Sequence, residues 1–152
     1  MKHLSVFFVL LCLVCSSELI IAQDIHSDEV PTPVKAAIAK IYTGKGITWS
    51  KEELGYEATF KQDHKETSLV VDASGNVLET ETEIEKADLP ASILESIKGE
   101  YSAYRLEEVA KIVTSSGVVT YETEVEKGKD TFELIFDHTG KLLSKKRIDK
   151  HD

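Results

Sequence analysis

The residues best suited to chemistry are two rows of alternating glutamates, Glu79-Thr80-Glu81-Thr82-Glu83 and Glu122-Thr123-Glu124-Val125-Glu126. A period of two puts each row on one face of a β-strand. Paired carboxylates act as acid and base in sugar hydrolysis when they stand ~5–9.5 Å apart. The same rows can bind a basic partner. Most often they form a solvated face that discourages edge pairing. The five histidines, His3, His26, His64, His138 and His151, lie in terminal segments or beside turns, without partners at metal-ligand spacing. No HExxH, GxSxG, GxGxxG or phosphate-loop pattern occurs. Asp72 and Asp137 each open a D-x-x-G stretch that lacks the further acidic ligands of a calcium loop, so turn capping is their expected role. No catalytic, cofactor-binding or metal-binding residue is expected.

Aromatic side chains offer contact of another kind. Trp49 is the only tryptophan, and Tyr42, Tyr101 and Tyr104 fall near helix ends. Such residues anchor protein interfaces, and they are also ordinary core residues. The candidate partner-binding set is Trp49, Tyr42, Tyr104, Glu79, Glu81, Glu83, Glu122 and Glu124.

The elements that must position these residues come from a duplication. Tyr56-Glu57-Ala58-Thr59-Phe60 matches Tyr121-Glu122-Thr123-Glu124-Val125, and LVVDASGNVLETE from Leu69 matches LIFDHTGKLLSKK from Leu134. Each copy begins with a proline-led helix in which Val34, Ile38 and Ile41, or Ile93, Ile97 and Tyr101 beside Leu94, recur at helical spacing. Gly44 and Gly99 are placed to close these helices in the left-handed conformation. Strands follow near Ile47–Leu54, Tyr56–Phe60 and Thr67–Asp72 in the first copy, and near Leu106–Thr114, Tyr121–Val125 and Thr131–Asp137 in the second. The D-x-x-G turns lead into one last strand in each copy, with glycine at positive φ. One conflict remains: the row of Leu78 continues Thr80, Thr82, Ile84, whereas that of Leu143 continues Lys145, Arg147. Either one copy exposes what the other buries, or a bulge shifts the register.

The first segment is an address. Lys2-His3, an apolar run from Val6 to Val14, and small residues beyond it make residues 1–22 a signal peptide, cleaved after Ala22 or, as second choice, after Ser17. Both cysteines, Cys12 and Cys15, fall inside it, after Leu11 and Val14, which disfavours a lipoprotein. The mature chain would then be free of cysteine and would rely on its apolar core. With 27 acidic against 18 basic residues the chain carries a net charge of −9, which repels phosphate backbones and excludes nucleic acid as a partner. Contact with a membrane is expected only during export, with a periplasmic or extracellular destination.

The proline-led helices and the paired hairpins VVDASGNVLE and IFDHTGKLLS resemble those of the PepSY-like family, whose members share the fold of the beta-lactamase inhibitor protein. The resemblance covers about Glu29 to Arg147. It implies an α+β fold: two tandem helix-plus-four-strand antiparallel units, 23–87 and 88–152, forming a joined curved sheet in one compact domain with helices on one face. It implies no catalytic residue. The related inhibitor blocks an enzyme through its sheet face, but this chain lacks that protein's disulfides, so inhibition of a beta-lactamase is not expected. The expectation is a non-catalytic exported protein that binds a protein or peptide, inhibiting or regulating an envelope or secreted enzyme. A small acidic-site hydrolase and a purely structural envelope protein are the alternatives.

Overall fold

The computed structural model describes residues 23–148. The expected signal peptide, with both cysteines, lies outside these residues. A two-residue strand β1 (Gln23–Asp24) precedes helix α1 (Thr32–Ile41), which is followed by β2 (Thr48–Glu52), β3 (Gly55–Gln62), β4 (Lys65–Val71) and β5 (Val77–Glu83). A 3-10 turn (Lys86–Asp88) leads to helix α2 (Ala91–Glu100), then β6 (Arg105–Thr114), β7 (Val119–Lys127), β8 (Asp130–Asp137) and β9 (Leu142–Ile148). Each strand pairs with its neighbours in sequence, giving a nine-stranded antiparallel sheet in the order β1 to β9. This is the expected α+β plan of a helix and four strands, repeated, with β1 added. Among the described residues no helix is long and apolar enough to cross a membrane.

Two compact units divide the chain, one taking in the residues up to Phe60 with Leu69–Leu78, the other Lys61–Ser68 with everything from Glu79. In the first, Val34, Ala37 and Ile38 of α1 pack with Val30, Trp49, Ala58, Phe60, Leu69 and Val71. Ile41, expected in this core, is 49% exposed. The inward place at the helix end goes to Tyr42, whose ring stacks on Phe60 at 4.1 Å. In the second unit, Ile93, Ile97 and Tyr101 pack with Leu89, Val109, Val125, Leu134 and Phe136, and Leu94 lies half-buried against them.

Both helices begin just after a proline, Pro31 or Pro90, whose carbonyl accepts from Lys35 N in α1 and from Leu94 N in α2. Their ends differ from expectation. Gly44 and Gly99 do not adopt positive φ. The helices are closed by Tyr42 in extended backbone and by Tyr101 at φ −120°, since each aromatic turns into its core and ends the helix by packing. The D-x-x-G turns do take the expected form. Gly75 and Gly140 have φ of +91° and +85°. Asp72 Oδ1 accepts from Ser74 N and Asn76 N, and Asp137 Oδ1 from Thr139 N and Lys141 N. Asn76 Nδ2 donates to Asp72 Oδ2 and Thr139 Oγ1 to Asp137 Oδ1, and these side-chain bonds, with the backbone ones, hold both carboxyls below their usual range.

The register conflict is resolved by a bulge. Ser144 pairs with Ile135 but Leu142 pairs with Phe136, which leaves Leu143 as the extra residue. The bulge returns Lys145 and Arg147 to the face that α2 covers, opposite Leu134 and Phe132. There the Lys145 ammonium lies 4.1 Å from the centre of the Phe132 ring and 5.0 Å from that of Tyr101. A cation over aromatic faces replaces the apolar contact that Thr82 and Ile84 suggested.

Candidate functional site

In the second unit the strand registers sort the side chains onto two faces. Tyr121, Thr123 and Val125 pair with Phe136, Leu134 and Phe132 beneath α2. Glu122, Glu124 and Glu126 therefore point to the opposite, uncovered face. On β6, Ala110 pairs with Glu122 on one side and Glu83 on the other, and Ile112 pairs with Thr120 and Glu81. Glu79, Glu81 and Glu83 thus share this open face with Glu122 and Glu124. The structure brings together all five glutamates of the candidate partner-binding set.

Their surroundings differ from the solvated face that such rows usually form. Glu79, Glu81 and Glu122 are each 7% exposed, and Glu124 is 6% exposed. Only Glu83 is open to solvent, where it accepts from Glu66 N. Ala110, Ile112 and Ile135 are buried on the same face without belonging to either core. These apolar neighbours help to exclude water from the carboxylates.

Sequence reasoning passed over three further members of the site. Glu133 pairs with Glu124 on one side and Lys146 on the other. Glu108 stands in a second bulge, where β6 slips between Leu106 and Val109 and two residues face Glu124. The alternation Thr131, Glu133, Ile135 against Phe132, Leu134, Phe136 carries the signal for Glu133. The bulge has no such signature, so Glu108 is invisible to a period-two count.

Electrostatics follow from burial. Desolvation, then repulsion from Glu81, Glu133, Glu108 and Glu124, pushes the Glu122 carboxyl well above the usual range. Glu133 is raised to about 7 by desolvation, which Lys146 opposes and Glu124 reinforces. Lys146 is lowered by its own desolvation against the pull of Glu133 and Glu122. The site is thus a cluster of buried carboxyls, two of which are held above their ordinary range.

The aromatic candidates are elsewhere. Trp49, 8% exposed, pairs with Ala58 beneath α1, and Tyr42 stacks on Phe60 in that same core. Tyr104 packs edge-on to Tyr101 and near Phe132 in the core under α2. In the first unit, the open face carries Ser50 and Glu57, both buried, with Ser50 Oγ donating to Glu57 Oε2 at 2.9 Å. The structure thus groups the glutamates with one another and the aromatics with the cores. Among the described residues no three His, Cys, Asp or Glu side chains are arranged to hold a metal ion.

Comparison with known proteins agrees with this architecture. The model of a family described, provisionally, as beta-lactamase-inhibitor-like and PepSY-like matches twice, over residues 20–79 and 55–144. No curated protein matches in sequence. Among solved structures, a provisionally periplasmic protein of Bacteroides eggerthii is similar, with a TM-score of 0.71 at 20% identity over 79% of this chain and 90% of its own. A DUF2874 family protein of Bacteroides uniformis gives 0.69 at 21% identity, over 79% and 91%. A protein of Bacteroides fragilis described as BLIP-like gives 0.61 at 26% identity, over 80% and 89%.

Proposed function

Because the chain belongs to the PepSY-like family, we propose that it is a non-catalytic, exported protein that binds another protein or peptide on its open sheet face. In this reading it inhibits or regulates an envelope or secreted enzyme by covering it. One observation carries the proposal: Glu79, Glu81, Glu122 and Glu124 are packed, nearly water-free, on the face turned away from α2. The Glu122 and Glu133 carboxyls each keep a buried oxygen without a hydrogen-bond partner, which is costly to the fold, and a basic partner compensates them. Glu83, at the open edge of the row, steers the approach. Trp49, Tyr42 and Tyr104 support the sheet from behind, and the similarity to a BLIP-like relative favours a protein as partner.

Association with a captured envelope protein should slow at least ~tenfold between ~50 and ~500 mM salt, because screening shortens the reach of the acidic face. Indifference of the on-rate to salt would refute steering by these glutamates. The raised Glu122 and Glu133 carboxyls are the features that suit a hydrolase. Hydrolysis of a glycoside or peptide by the mature chain, lost in Glu122→Gln or Glu133→Gln, would replace the binding reading.

A further inference from the structure

Two oxygens on the open face of the second unit lack partners. Glu122 Oε2 and Glu133 Oε1 are buried and accept no hydrogen bond, in residues only 7% and 3% exposed. A buried acceptor without a donor is rare in proteins and calls for an explanation.

The register supplies one. Across the rung Glu83–Ala110–Glu122, only a methyl group stands between two glutamates. Strands lie ~4.7–4.9 Å apart, so these glutamates are rooted about 9.5 Å from each other across the small Ala110 side chain, which is itself buried. Glu79 and Glu81 from β5, Glu108 from the β6 bulge, Glu124 from β7 and Glu133 from β8 face the same region. Glu126 lies at its end with Arg105, which also pairs with Glu107. Asp137 is engaged in its own turn. Lys146 stands in register with Glu133 and feels the charge of Glu133 and Glu122.

We propose that the carboxyls grouped around Ala110, those of Glu81, Glu83, Glu122 and Glu124, take up one arginine side chain of a protein partner. This deepens the binding reading above and rests on it. Arginine fits better than lysine, because its planar group donates to two carboxylates at once and is less strongly hydrated. Entry of the cation displaces a proton that the crowded carboxyls share. A neutral acid and a guanidinium become a carboxylate–guanidinium pair, and one proton leaves to solvent. Binding therefore strengthens as pH rises toward 8.

The probe is the peptide acetyl-Gly-Gly-Arg-Gly-Gly-amide, titrated into isotope-labelled mature protein beside its neutral citrulline analogue. The arginine peptide should shift the amide signals of Ala110, Glu122 and Ile135, whereas the citrulline peptide should not. Calorimetry in two buffers of different ionisation enthalpy should register the released proton. Glu122→Gln should weaken binding at least ~tenfold, and Ala110→Leu, which adds bulk between the two glutamates without altering charge, should abolish it. Equal response to citrulline, silence at those three amides, or undiminished binding by both variants would overturn the arginine site. If a protein partner still associates in a salt-dependent way after such a result, the broader binding function stands without it. If the peptide binds as expected but no protein does, the site stands and the broader function fails.

Discussion

Replacing Glu133 by Gln tests whether the open face is as dry as the structure makes it. Burial holds this carboxyl at about 7 against an ordinary 4.5. Each pH unit of displacement corresponds to ~1.4 kcal/mol, so the difference is worth ~3 kcal/mol. The sign follows from proton counting. Between pH 4.5 and about 7 the folded protein holds a proton on Glu133 that the unfolded chain has released, so stability falls as pH rises through that window. Glu122 works in the same direction. Asp72 and Asp137, held below their ordinary range, remove stability only at more acidic pH. Urea unfolding of the mature chain at about pH 5 and about pH 8 measures the effect. With a slope of ~1.5 kcal/mol/M, the wild-type midpoint should drop by ~2 M or more on going to the higher pH. In Glu133→Gln that drop should shrink by ~2 M, since the amide does not titrate. A wild-type protein more stable at pH 8 than at pH 5, or a variant with the same drop, would refute the burial argument.

Two further expectations concern the scaffold. Gly140 has φ +85°, and a Cβ there would stand 2.5 Å from the Ser92 carbonyl oxygen. Gly140→Ala should therefore cost about 2–4 kcal/mol in chemical unfolding, and the same substitution at Gly46, where nothing lies within 4 Å, should cost less. Ile93→Ala should cost about 2–5 kcal/mol because the side chain is fully enclosed, whereas Ile41→Ala should stay within ~0.5 kcal/mol. Thermal melts of the pair separate the two cases.

Much of the scaffold is legible in one dimension. Turn chemistry is local, so Asp72 and Asp137 with Gly75 and Gly140 announce two hairpins. Period-two alternation divides Tyr121, Thr123 and Val125 from the glutamates between them, and the duplication confirms each element with its copy. The helix ends were less legible: nothing local distinguishes a glycine that could close a helix from an aromatic that does so by turning into the core. Alternation also says which residues share a face, but not how wet that face is.

Sequence by itself determined the α+β class, the repeated helix-and-hairpin order and the membership of the glutamate rows, because propensity, turn geometry and side-chain alternation depend on near neighbours in the chain. The tertiary structure alone decided that Trp49 faces α1, that Leu143 is a bulge residue, and that Glu122 and Glu133 are dry. Burial and carboxylate ionisation depend on strands far apart in sequence. Glu81, Glu108, Glu122 and Glu133 meet only when β5, β6, β7 and β8 lie in register, and their mutual repulsion arises at that moment.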